Sequence, residues 1–109
     1  MLVDLISQKH RELAEHYVFV MKEIAGIDIY ENTRKRAYVV ARAIISHCLE
    51  AEGCPVSDAG RLLGVNHSTV IYYRDRFELI FAPGGEAEKE LWEKFNASIY
   101  HSQDSQAHI

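Results

Sequence analysis

Apolar residues along this chain recur at three- and four-residue steps, and no stretch alternates as a half-buried strand would. The pattern predicts helices throughout. The first covers roughly Val3 to Ala25, with Ile6, Leu13, Tyr17, Val20, Met21 and Ile24 on one stripe and Gly26 as its stop. "GIDIYEN" then makes a connector. Asn32 or Thr33 can cap a second helix from about Arg34 to Ala51, which turns Tyr38, Val39, Ala41, Ile44, Ile45 and Cys48 inward. "EGCP" breaks it. A short third helix runs from about Val56 to Leu63, with Ser57 or Cys54 near its start and Gly64 closing it. The fourth begins at Asn66 or His67 and continues to about Phe81, burying Val70, Tyr73, Phe77 and Ile80. "APGG" ends it. "EAEKELWEKFNASIY" makes a fifth, with Leu91, Trp92, Phe95 and Ile99 packed, and "HSQDSQAHI" reads as a frayed tail. The expected fold class is all-α, a small bundle of about five helices.

Length and composition add limits. The 109 residues suffice for one domain with a modest core. Within it, residues 1–31 hold the first helix and connector, 32–82 the central helices, and 83–109 the last helix and tail. No apolar run approaches the roughly 18 residues that span a membrane. The N-terminus lacks the basic-then-apolar order of a signal peptide, so a cytoplasmic location is the default expectation. Cys48 and Cys54 are too few for a disulfide scaffold and their spacing is not a zinc spacing, so both are expected as reduced thiols.

The formal net charge of −4 does not suggest a partner rich in phosphate. Its distribution does. Seven basic and four acidic residues lie from Arg34 to Arg76, a local charge of +3. The five basic and twelve acidic residues elsewhere leave −7. A basic middle between acidic flanks is the part of the chain that suits nucleic acid.

Within that middle, a short helix, a glycine turn and a second helix have helix-turn-helix spacing. Ala59 and Gly60 are small where two helices must approach. Leu63 and Val65 flank Gly64, and Val70 and Tyr73 fall on the inner face of the second helix. Gly64 can take the positive φ that a tight turn needs. In such a motif the second helix enters the major groove with its N-terminal residues on base edges. Here these are Asn66, His67 and Ser68, with Tyr72 one turn on, while Thr69 can hold a phosphate. The plainer alternative is that Asn66 caps the helix, an interaction of about 1 kcal/mol. Arg61 on the shorter helix and Arg74 on the longer one are candidates for the DNA backbone; Arg61 is equally a solvated surface charge, and Arg74, one turn from Val70, can pack part of its stem.

"VSDAGRLLGVNHSTVIYYRDRF", preceded by "TRKRAYVVARAII", resembles the C-terminal DNA-binding domain of the bacterial replication initiator DnaA, a helix-turn-helix domain similar to Trp repressor. That family carries a stretch of the form G-G-R-D-H-[ST]-T-V, and "GVNHSTV" stands in its place. The resemblance spans roughly Thr33 to Phe77. It implies that Asn66, His67 and Ser68 face bases and that Thr69 supports them. It also implies that Arg34, Lys35 and Arg36, at the start of the preceding long helix, reach the backbone and minor groove.

The departures matter. One glycine of the family's pair is missing, Val65 replaces an arginine, and Asn66 replaces an aspartate. Asn favours adenine where Asp accepts from cytosine, so a different site sequence is expected. No phosphate-binding loop of the form G-x-x-x-x-G-K-[ST] occurs, so no nucleotide is expected.

Other chemistry is thin. The six histidines lack metal-ligand spacing: His10 and His16 are six apart, His47 has only Cys48 beside it, and His101 and His108 lie in the tail. No nucleophile elbow or carboxylate pair stands out, so neither enzyme activity, metal nor cofactor is expected. Trp92 and Phe95 read as core rather than a base-stacking platform. The first helix either caps the bundle or forms a homodimer, with Phe19 supplying a second apolar face. The leading expectation is a sequence-specific binder of double-stranded DNA. The competing one is a protein-interaction module on the same scaffold that no longer binds DNA.

Overall fold

The computed structural model describes residues 6–107. Five helices follow in order: α1 (Gln8–Ala25), α2 (Arg36–Ala51), α3 (Val56–Leu63), α4 (His67–Leu79) and α5 (Glu86–Ala107). There is no strand among the described residues. The fold is a small all-α bundle.

α1 starts at a cap, Ser7, whose hydroxyl accepts from the His10 N–H at 3.1 Å. The predicted start at Val3 lies outside the described residues. Gly26 stops the helix in the left-handed region at φ 67°. Ala14, Tyr17, Val20 and Met21 are buried, while Leu13 and Ile24 pack on the core from its edge.

α2 begins two residues later than its apolar pattern suggests. Thr33 does engage the chain, but its hydroxyl accepts from the Lys35 N–H, which holds 33–35 in a turn ahead of the helix. Neither Asn32 nor Thr33 is the N-cap; Lys35 is, with no side-chain cap bond. Arg34 and Lys35 therefore sit in the connector, and only Arg36 is helical. Arg42 then fastens this connector. Its guanidinium donates to the carbonyls of Ile29, Thr33 and Glu31 at 2.8, 2.8 and 2.6 Å. α2 touches all four other helices, which is why it buries more than one stripe: Val40, Ala43, Ser46 and Leu49 are enclosed beside Ala41, Ile44, Ile45 and Cys48. Tyr38 and Val39 are only partly buried.

α3 has the expected limits, but Pro55 is its N-cap, and neither Ser57 nor Cys54 caps it. Gly64 ends it at φ 75°, and the Val65 N–H returns to the Gly60 carbonyl at 2.8 Å. A three-residue link, 64–66, then enters α4. Gly60 is small for a reason: a Cβ there would lie 2.8 Å from the Val65 carbonyl oxygen. α4 stops at Leu79 rather than Phe81, with Val70, Tyr73, Phe77 and Ile80 all buried as its period predicts. α5 runs past the expected end at Tyr100 to Ala107, because "HSQDSQA" contains neither glycine nor proline to break it. Phe95 and Ile99 are buried, and Leu91 and Trp92 are partly so.

One aromatic stack joins three helices. The His47 ring of α2 lies 3.8 Å from the Phe77 ring of α4, nearly parallel, and Trp92 of α5 meets both edge-on. Burial there pushes the His47 imidazole below its usual value of 6.5, with the Glu50 carboxylate opposing in part. Both cysteines are free and buried, and burial raises their thiols, Cys48 to about 12 and Cys54 to about 11.

Two outcomes follow from this packing. Gly60→Ala should destabilise by about 1–2 kcal/mol in urea titrations, because the clash with backbone outweighs the helix-propensity gain of ~1 kcal/mol. A variant as stable as wild type would show that the turn can yield. His47 acts through linkage. Below 6.5 the unfolded chain takes up a proton there that the folded chain does not, so stability falls as pH drops through that value. The Tm of wild type should therefore decline between about pH 7 and 5.5 more steeply than that of His47→Phe. Parallel declines would assign the effect to other groups.

Candidate nucleic-acid interface

The start of α4 is built on one oxygen. Asn66 is its N-cap, and the Asn66 Oδ1 accepts from the Thr69 N–H at 3.0 Å, the Thr69 hydroxyl at 3.1 Å and the Ser68 hydroxyl at 2.6 Å. An amide oxygen has two lone pairs, so three donors saturate it. Three of the four polar residues in "NHST" thus answer to local structure. The hydroxyl lone pairs of Ser68 and Thr69 and the Asn66 amide N–H groups stay available to a ligand. His67 is different. It is exposed and makes no hydrogen bond or ring contact among the described residues.

Beyond the cap, α4 turns His67, Ser68, Ile71 and Tyr72 outward, with Tyr72 half exposed. Asp75 and Glu78 follow on the exposed side, so the acidic groups of this surface lie in its C-terminal half.

The basic residues divide into free and committed. Arg36 pairs with Glu88 in the first turn of α5. Arg74 donates to Glu50 of α2 at 2.5 Å, a hydrogen bond that also raises its guanidinium's proton affinity. These two candidates for the DNA backbone serve as ties between helices. Arg34, Lys35 and Arg61 are exposed, and their side chains have no ion pair among the described residues.

Arg34 shares a cleft of about 640 Å³ with the α3–α4 link and α4. Gly64, Val65, Thr69 and Tyr72 form one wall, and the 29–34 connector forms the other. Tyr30 spans the two sides, its phenol donating to the Leu62 carbonyl at 2.9 Å. Arg61, by contrast, does not line this cleft. Arg42 and Tyr30 were not singled out by sequence as site residues. Their long-range bonds to backbone carbonyls have no local pattern that could announce them.

Among the described residues, no three His, Cys, Asp or Glu side chains come together to hold a metal, and no helix is long and apolar enough to cross a membrane. No protein-family model, no curated protein and no solved structure matches the chain.

The Asn66 network and the unengaged His67 should separate in stability measurements. Asn66→Ala should cost about 1–2 kcal/mol through loss of the cap. His67→Ala should change stability by less than about 0.5 kcal/mol. A destabilising His67→Ala would mean that this side chain is structural.

Proposed function

We propose that the protein binds double-stranded DNA through α3, the 64–66 link and α4, used as a helix-turn-helix. The observation that carries this reading is the shared cleft. It sets Arg34, a free cation on the connector, across from Thr69 and Tyr72 near the exposed start of α4. A groove-bound helix needs such a flanking cation to hold its register on the backbone. The reading is supported by a tight link, with left-handed Gly64 and a Gly60 that no larger residue could replace without a shift.

In this reading His67, Asn66, Ser68 and Tyr72 meet base edges. The Asn66 amide N–H groups and the hydroxyl lone pairs remain for that purpose while Oδ1 holds the helix together. Arg34, Lys35 and Arg61 neutralise phosphates, and Thr69 with the first N–H groups of α4 can hold another. The resemblance to the DnaA C-terminal domain agrees with this assignment of the reading helix. Val65, partly buried against the core, supplies no polar contact.

A second reading, a protein-interaction module, is favoured by one specific feature. Ile71 and Tyr72 are exposed apolar side chains beside Asp75, and Arg36 and Arg74 are already paired with carboxylates. A homodimer through α1 has Phe19, 61 % exposed, to work with, since Tyr17, Val20 and Met21 are buried within the chain.

Fluorescence anisotropy on random duplexes, followed by selection, decides between them. Wild type should bind at low salt with a log–log salt slope near about −3, for three free cations. Arg34→Ala with Lys35→Ala should flatten that slope by about 2, and Glu88→Gln, which releases Arg36, should steepen it by about 1. His67→Ala should relax preference at one base position by about 1–3 kcal/mol. Absence of binding at low salt would overturn the DNA reading and leave the interaction module.

A further inference from the structure

α1, α2 and α5 enclose a second cleft, of about 220 Å³, which shares no lining residue with the first. Its floor and walls are aromatic and aliphatic: Tyr17, Trp92, Ile99 and Tyr100. His47, Asn96 and Glu52 supply the polar groups. Tyr17 is the telling residue. Only 2 % of it is exposed, yet its phenol has no hydrogen-bond partner among the described residues. Tyr17 nevertheless lines the cleft. A buried phenol without a partner, in the lining of a cleft, is a polar group that an occupant could satisfy.

Two further features set the chemistry of an occupant. Among the described residues, Glu52 is the one charged residue that lines the cleft, and it is an anion. It lies close enough to Tyr17 that, after burial itself and the nearby Cys48, its charge also disfavours ionisation of the phenol. Its present partner is Lys9, 3.4 Å away and well exposed, an ion pair that solvent weakens. The aromatic rings of the lining offer π-systems whose faces attract cations and repel anions. The volume is below the roughly 300 Å³ at which drug-sized pockets begin, enough for one ring.

We propose that this cleft binds a small organic cation, an amine on a single aromatic ring or a body of similar size. The ammonium meets Glu52 and the Tyr17 hydroxyl, and the ring packs against Trp92. The site is separate from the α4 surface and does not depend on DNA binding.

Trp92 is the only tryptophan in the chain and lines the cleft, so its emission reports occupancy directly. The probe is benzylamine at neutral pH, with benzyl alcohol and benzoate as partners of equal shape and different charge. Benzylamine should give a saturable change with a Kd of about 0.1–1 mM, the range that one ring with few contacts can reach. Benzyl alcohol should bind about tenfold more weakly, and benzoate should not saturate by about 10 mM. Glu52→Gln should abolish the preference of amine over alcohol. Tyr17→Phe keeps the ring that packs edge-on against Phe95, and should weaken both by several-fold while circular dichroism stays unchanged. Benzoate binding as well as benzylamine, no saturation with any probe, or saturation that neither variant alters would each overturn the proposal.

Discussion

Everything in this molecule leans on the burial of α2. Ala41, Ile44, Ile45 and Leu49 are fully enclosed, and the helix touches each of the other four. A helix contacted by four others cannot shift without disturbing all of them, and close packing transmits that constraint. α4 is therefore held from behind by α2, through Val70, Tyr73 and Phe77, rather than by α3 alone. The short α3 has only Ala59, Gly60 and Leu63 buried, too little to anchor α4 by itself. The exposed start of α4 is rigid because its inner face is part of the main core.

The same centrality explains where the charges went. A helix buried on most sides offers few exits for polar side chains, and those that leave it meet neighbouring elements. Arg42 leaves toward the connector and fixes the shape of 29–33. Glu50 leaves toward α4 and takes Arg74, and Arg36 at the helix start takes Glu88 of α5. A local charge of +3 thus overstates what the surface presents. Partly exposed ion pairs of this kind contribute little stability each, about 0–1 kcal/mol, but they remove cations from the set available to a polyanion. What remains both exposed and free of ion pairs among the described residues, Arg34, Lys35 and Arg61, is a smaller set than the composition of the middle region suggests, and Arg76 is partly buried.

This division marks how far the sequence is legible. Helical period located all five helices and most of the core, because a stripe repeats within one element and needs no knowledge of others. The small pair Ala59–Gly60 and the positive φ of Gly64 were likewise readable, being local demands of a tight link. The late start of α2 was not, since Thr33 can cap a helix or close a turn, and only the position of Arg42's guanidinium favours the turn. Ion pairs between residues 36 and 88, or 50 and 74, have no sequence period at all. The cleft lined by Tyr17, His47, Glu52 and Trp92 draws on three helices and was invisible for the same reason.

The sequence "NHST" poses capping against recognition as alternatives, and the geometry dissolves the opposition for three of the residues. Saturating Asn66 Oδ1 with Thr69 and Ser68 fixes the rotamers of all three side chains. A fixed side chain loses less entropy when it contacts a ligand than a free one does, so the cap network pre-organises whatever hydrogen-bonding capacity it leaves open. The cost is versatility: Oδ1 itself can no longer accept from a base, so the bidentate asparagine–adenine pairing is not open to Asn66 without dismantling the helix start. Under the proposed DNA reading, Asn66 and Ser68 are left with the amide N–H groups and a hydroxyl lone pair, whereas the His67 side chain is wholly unengaged. Of the four polar residues that open α4, His67 is the one whose identity the helix does not require.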